Sequence, residues 1–216
     1  TYQNSNTGEP STANRTITWI VNDGALPSTG VTSTVTVTAV NDAPTTTASG
    51  ALNYTEDSAA TAIDTTVTVA DVDNANLVGA TVSITTGFQT TEDVLSFTSQ
   101  NGIIGSYDSA TGVLTLSGTA TKANYQAALR TVKYQNTNHG NPNVASRTVS
   151  WVVNDGAASS VATTSTINLT AVNDIPMMTA GATLTYSELD LATAIDTTLT
   201  VADLDNPTLS TATVTL

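Results

Sequence analysis

The sequence predicts an all-β chain built of antiparallel β-sandwich units, and two observations carry that prediction. Short stretches rich in Val and Thr alternate between apolar and polar residues, and the whole pattern returns without a gap, position i matching position i + 132. Alternation with period two places one set of side chains on each face of an extended strand, and β-branched residues suit the pleated surface.

In "VTSTVTVTAV", 31–40, Val31, Val35, Val37 and Ala39 share one face, while Thr32, Thr34, Thr36 and Thr38 share the other. "TVTVAD" at 66–71, "TVSIT" at 81–85, "VLSF" at 94–97, "VLTLSG" at 113–118 and "RTVSWVV" at 147–153 carry the same strand signal. "DSATG" at 108–112 is a turn, with Gly112 free to take positive φ. The one helical stretch is "TKANYQAAL", 121–129, with Thr121 as N-cap and Tyr125, Ala128 and Leu129 on one face. Short strands at regular spacing, separated by turn residues, predict a sandwich of roughly seven antiparallel strands. Its interior is expected to hold Leu116, Val149, Trp151, Ile167 and Leu169. Trp19 and Trp151 are expected to be core anchors rather than sugar platforms, because a Trp in an apolar strand usually packs.

Sliding the chain on itself by that offset aligns 1–84 with 133–216, and 47 of the 84 aligned positions are identical. Tyr2-Gln3-Asn4 meets Tyr134-Gln135-Asn136, "VNDGA" at 21–25 meets 153–157, and "ATAIDTT" at 60–66 meets 192–198. A fixed period of this length exceeds a solenoid unit, so each repeat should be an independent domain. The tetrad Asn-Asp-x-Pro, "NDAP" at 41–44 and "NDIP" at 173–176, punctuates the repeats. The expected division is the tail of one domain (1–41), a whole domain (44–172) and the head of a third (176–216). A chain so divided is expected to be a stretch of a longer protein, with targeting signals outside it.

The balance of 18 Asp plus Glu against 5 Lys plus Arg gives a net charge of −13. That charge disfavours nucleic acid and anionic membrane as partners and suits divalent cations. No cysteine is present, which removes disulfides, thiolate metal sites and cysteine nucleophiles. A secreted chain without disulfides needs another device, and bound metal is one. No apolar run approaches the ~20 residues of a membrane span. An enzyme is not expected. His139, the one histidine, lies in "NTNHGNPN", a loop composition with no carboxylate beside it in sequence. Glu92 and Asp93 are adjacent, but neighbours on a strand face opposite ways, which argues against a shared acid/base site.

What remains is a set of carboxylates at domain ends. Asp71-x-Asp73-Asn74 and Asp203-x-Asp205-Asn206 follow strands; Asn41-Asp42 and Asn173-Asp174 sit in the junctions; Asp23 and Asp155 lie in "VNDG". Alternate residues of an irregular loop can turn two carboxylates onto one centre, and calcium takes six to eight such oxygens. An Asx turn or an Asn-Asp-Gly hairpin explains each motif better than metal does when it stands alone. Recurrence of all three sets at one spacing favours the metal.

The order "TVTVADVDNANL", "RTVSWVVNDG", then a Thr/Val strand into "AVNDIP" resembles cadherin repeats, specifically the bacterial cadherin-like tandem modules of giant secreted or surface-bound adhesins. The resemblance extends over the whole chain. It implies a cadherin/immunoglobulin-like sandwich and calcium between successive domains. Carried over, the junction at 40–44 would draw on Asn41, Asp42, Asp71, Asp73 and Asp155. The junction at 172–176 would draw on Glu56, Asn173, Asp174, Asp203 and Asp205. The chain departs from the family pattern at Ala39 and Ala171, where the first junction Asp is expected, and at Ala43 and Ile175, where the last Asn is expected. "NVAS" at 143–146 also lacks the acidic segment of the family. About one calcium per junction is therefore implied, rather than several. The expected function is a structural and adhesive module of a large extracellular protein at the bacterial cell surface, stiffened by calcium. Its partners would be neighbouring repeats of the same chain, other copies of the protein, and a cell-surface or carbohydrate receptor. A subunit of an extracellular fibre or sheath, or a carbohydrate-binding sandwich, are the alternatives the residues leave open.

Overall fold

A computed structural model describes residues 1–216. In chain order the strands are β1 (Arg15–Trp19), β2 (Val31–Val35), β3 (Thr45–Thr47), β4 (Ala51–Thr55), β5 (Thr61–Ala62), β6 (Thr68–Ala70), β7 (Asn76–Thr86) and β8 (Asp93–Ser96). They continue with β9 (Ile104–Asp108), β10 (Val113–Thr121), β11 (Lys133–Asn136), β12 (Arg147–Asn154), β13 (Thr163–Thr170), β14 (Met177–Thr179) and β15 (Thr200–Ala202). One helix, α1 (Lys122–Leu129), stands between β10 and β11.

The predicted β-sandwich is present. One layer is a six-stranded sheet in the order β4-β13-β12-β7-β10-β9; a three-stranded sheet, β5-β11-β8, and the pair β3-β6 make up the other strands of the unit. Alternation along β7 buries Ala80, Val82 and Ile84 while their neighbours face outward. Leu114 and Leu116 of β10, Val149, Trp151 and Val153 of β12, and Ile167 of β13 join them in one core with Leu95, Tyr134 and Ile63. Burial of such side chains is worth roughly 1.5–3 kcal/mol each, which makes this core the main source of stability. The interior positions expected from the pattern, Leu116, Val149, Trp151, Ile167 and Leu169, are all buried.

The helix forms where the capping signal places it. Thr121 is extended, and its hydroxyl accepts the N–H of Asn124 at 3.2 Å. The helix buries Tyr125, Ala128 and Leu129. The turn at 108–112 also forms as expected, with Gly112 at φ +71. Gly118 takes φ +124 at an irregularity in β10, where the backbone passes so close to Gly102 that a Cβ would lie 2.2 Å from its carbonyl oxygen.

Four expectations need correction. The central unit has eleven strands, β3 to β13, rather than about seven, because several are only two to four residues long. The pairing is not wholly antiparallel: β13 runs parallel to β4, from Thr166↔Ala51 to Thr170↔Thr55. The stretch 31–40 is a strand only over 31–35, although its counterpart β13 continues to Thr170, beside the parallel partner β4. Trp19 is 58% exposed, whereas Trp151 is fully buried. The reason is layering: Trp19 lies on the two-stranded ribbon β1-β2, which no second sheet covers.

That ribbon nevertheless keeps the register of the β12-β13 pair. Its register, Arg15↔Val35 to Trp19↔Val31, is the register of Arg147↔Ile167 to Trp151↔Thr163 displaced by one repeat. The indole N–H of Trp19 donates to Ser33 and that of Trp151 to Ser165, each at 3.0 Å. At the other end, Met177↔Ala202 to Thr179↔Thr200 repeats Thr45↔Ala70 to Thr47↔Thr68.

Candidate metal centre

The site is built from three loops, each shaped by its own side chains before it meets the others. In 71–74 the Asp71 carboxylate accepts the backbone N–H groups of Asp73 (3.1 Å) and Asn74 (2.8 Å), an Asx turn that holds the loop tightly curled. In 154–158 the Asp155 carboxylate accepts the N–H groups of Ala157 (2.7 Å) and Ala158 (2.6 Å), with Gly156 at φ +103. The third loop is the junction itself, Asn41-Asp42, which enters β3 through the buried Pro44.

These loops meet. The amide of Asn41 donates to Asp155 Oδ2 at 2.9 Å, and the backbone N–H of Asp42 donates to Asp73 Oδ2 at 2.9 Å. The amide nitrogen of Asn74 is ringed by three oxygens: Asn41 Oδ1 at 2.8 Å, Asp73 Oδ1 at 3.3 Å and Asp155 Oδ2 at 3.4 Å. Five of the predicted residues, Asn41, Asp42, Asp71, Asp73 and Asp155, thus form one connected group. Asn74 completes it, and the sequence marked it as part of a motif but not as a participant.

The second junction repeats the arrangement. Asp203 Oδ1 accepts Asp205 N–H (3.3 Å) and Asn206 N–H (2.9 Å); Asp174 N–H donates to Asp205 Oδ2 (3.3 Å); the Asn206 amide donates to Asn173 Oδ1 (3.0 Å). Glu56 reaches this junction from the central unit, where its Oε2 accepts the N–H of Val172 at 2.7 Å. Asn173, Asp174, Asp203 and Asp205 therefore also form a connected group, while Glu56 touches the chain at Val172, one residue before it.

The electrostatics are those of crowded acids. Burial, with Asp73 beside it, pushes the Asp71 carboxyl up. The Asp42 N–H holds Asp73 down, and the Ala158 N–H holds Asp155 down. Four carboxylate oxygens at the two junctions are buried with no hydrogen-bond partner: Asp42 Oδ2, Asp71 Oδ2, Glu56 Oε1 and Asp174 Oδ2. A buried acceptor left unmatched costs about 1–3 kcal/mol, so each is a demand for a donor or a cation. The donor set is all oxygen, which fits calcium and not zinc. One expectation is corrected: no three Asp, Glu, His or Cys side chains gather to hold a metal by themselves. Asparagine amides interleave the carboxylates, and a shell here would combine carboxylate, amide and backbone oxygens.

A second polar cluster escaped the sequence. Arg147, fully buried, lies 3.1 Å from Asp93 and 3.6 Å from Glu92. The Tyr134 hydroxyl donates to Asp93 at 2.6 Å, and burial pushes that phenol well above its ordinary value. Glu92 and Asp93 do not point apart, as strand alternation implied; Glu92 precedes β8, and both side chains reach Arg147. His139, without a carboxylate nearby in sequence, meets Asp57 from 82 residues away at 2.6 Å. The signal that could have exposed Arg147 is its identity with Arg15 in a strand otherwise apolar on that face.

No family model matches the chain. Halomucin of Haloquadratum walsbyi (strain DSM 16790 / HBSQ001) is 41% identical over 123 residues, which is 53% of this chain and 1% of that protein. The chain thus spans about a hundredth of the length of this relative. The crystal structure of human CDH23 EC21-23 aligns with 90% of this chain and 55% of its own, at 14% identity and a TM-score of 0.32. No helix is long and apolar enough to cross a membrane.

Proposed function

We propose that the chain is a run of tandem β-sandwich repeats in an extracellular structural and adhesive protein, divided at 1–41, 44–172 and 176–216, with calcium stiffening each junction. The observation that carries this reading is the duplication of the junction cage: the same Asx turn, the same Asn–Asn contact and the same Asp N–H to Asp bond recur one repeat apart. Each cage contains a buried, unmatched oxygen on the junction aspartate. Similarity to a stretch of a very long protein, halomucin, supports an extracellular repeat.

The ion would be held by Asn41, Asp42, Asp71, Asp73 and Asp155 at the first junction, and by Glu56, Asn173, Asp174, Asp203 and Asp205 at the second. Its contribution is charge. Unit charges about 4 Å apart repel by about 4 kcal/mol at an effective dielectric near 20, so acidic ends on a short connection push apart until a cation neutralises them. With the ion bound from both sides, the angle between units is set and the rod transmits force. The remaining chemistry argues against catalysis as its role: the one histidine is exposed and paired to an exposed aspartate.

Thermal melting in millimolar calcium against chelator tests the proposal. A ligand bound only by the folded state raises the melting temperature with the logarithm of its excess. Asp73→Ala should abolish most of that rise. Asp108→Ala should preserve it, since Asp108 only closes the hairpin turn, through Ala110 and Thr111. Identical wild-type melting curves in calcium and chelator refute the reading.

A further inference from the structure

The loop between β11 and β12, 137–146, is more tightly bonded than its composition suggests and is not used by the proposed metal centre. Asn138 folds it on itself: its Oδ1 accepts Gly140 N–H at 3.1 Å and its amide donates to Asn141 O at 2.9 Å. Glu92 fastens it from below, accepting the Asn138 amide at 3.0 Å and Asn143 N–H at 3.0 Å. His139 ties its tip to Asp57. The same loop occurs at the start of the chain, where Asn6 Oδ1 accepts Gly8 N–H at 3.2 Å and the Asn6 amide donates to Glu9 O at 2.7 Å. Asn6, Gly8 and Pro10 are identical with Asn138, Gly140 and Pro142.

Both copies present the glycine to the same place on the unit that follows. A Cβ on Gly140 would lie 2.9 Å from Leu204 Cβ, and a Cβ on Gly8 would lie 3.4 Å from Val72 Cγ2. Leu204 and Val72 are the middle residues of Asp203-x-Asp205 and Asp71-x-Asp73. Each aliphatic residue sits inside an Asx turn between its two acids and faces the glycine of the preceding unit. Neither glycine has positive φ, so backbone conformation does not require glycine there; at Gly140 the close approach does.

We infer that Gly140 and Leu204, and likewise Gly8 and Val72, form a stop between consecutive repeats that limits how far they lean together, whether or not an ion is bound. Leu204 and Val72 remain 65% and 61% exposed, so the contact limits approach rather than supplying a large buried area. This rests on the division into repeats proposed above, but not on the metal. It identifies a socket on one end of a unit, Asn-x-Gly-x-Pro, and its matching knob, the aliphatic residue inside Asp-x-Asp, on the start of the next.

The chain has no cysteine, so paired spin labels can be introduced cleanly at two exposed positions, Ser109→Cys in the central unit and Thr208→Cys beyond the junction. In chelator the full chain should give a distance distribution with a sharp limit on one side, and calcium should narrow it without moving that limit. Gly140→Ala should shift or broaden it, Gly8→Ala should leave it unchanged, and Gly181→Ala, whose Cβ would meet nothing within 4 Å, should also leave it unchanged. A wild-type limit that appears in calcium but not in chelator would overturn the stop and leave the metal reading standing. A Gly140→Ala distribution in chelator identical to wild type would also overturn it. A sharp wild-type limit in chelator, displaced by Gly140→Ala, in a chain whose melting ignores calcium, would support the stop while sinking the metal reading.

Discussion

Replacing Asp64 by Asn tests whether polar clips, and not the core alone, hold the sandwich together. Asp64 is 3% exposed and its carboxylate accepts five hydrogen bonds: the N–H groups of Ser49 (3.1 Å), Gly50 (2.7 Å) and Thr66 (2.8 Å), and the hydroxyls of Thr66 (2.6 Å) and Ser165 (2.7 Å). Burial by itself raises its pKa, but the bonds from Thr66, Ser165 and Gly50 outweigh burial and lower it from 3.8 to about 2. At about 1.4 kcal/mol for each tenfold change in proton affinity, that depression is worth about 2 kcal/mol at neutral pH. Asn keeps the shape but loses the charge, and turns an amide NH2 toward donors, so the total loss expected is about 2–4 kcal/mol. The folded-state pKa lies below the unfolded value, so this stability is fully present above about pH 5, about half remains near pH 3, and it is lost as pH falls through about 2. Urea unfolding at pH 7 and pH 3 reads both effects; at a slope of about 1–3 kcal/mol/M the neutral-pH midpoint should fall by about 1 M or more. An Asp64→Asn midpoint within error of wild type at pH 7, or a deficit unchanged between pH 7 and pH 3, refutes the reasoning.

Two other perturbations follow from the same structure. Asp93→Ala leaves the buried Arg147 guanidinium with Glu92, 3.6 Å away, as its one remaining carboxylate and should cost about 3–5 kcal/mol, while Asp93→Leu with Arg147→Met should recover much of that loss in chemical denaturation. Gly118→Ala should destabilise the unit by more than about 2 kcal/mol, because positive φ and the 2.2 Å approach to Gly102 O act together. Gly102→Ala, at φ +77 with open space around it, should cost only about 1 kcal/mol on the same thermal-melting assay.

Most of the strand positions and the helix were legible because they depend on neighbours in sequence. Thr121 caps α1 through a group three residues away, and the alternation around 113–118 and 147–153 reflects which face meets the core. The recurrence of the junction residues was legible for another reason, duplication at a fixed offset, and both copies of Asp-x-Asp-Asn form the Asx turn that their composition allows.

What the residues by themselves determined about this protein is therefore its class and its period: Val/Thr alternation favours sheet, and the sequence recurs at an offset of 132. Tertiary structure decided everything that depends on distant approach. It made β4 a parallel partner of β13, buried Trp151 while leaving its counterpart Trp19 exposed, and brought Glu92 and Asp93 together on Arg147. It interleaved asparagine amides among the junction carboxylates, and it set Leu204 against Gly140. The physical reason is range. Strand propensity and capping act over a few residues and leave a pattern that can be read, whereas desolvation and ion pairing depend on which surfaces close over a side chain, and that is fixed only when sheets stack.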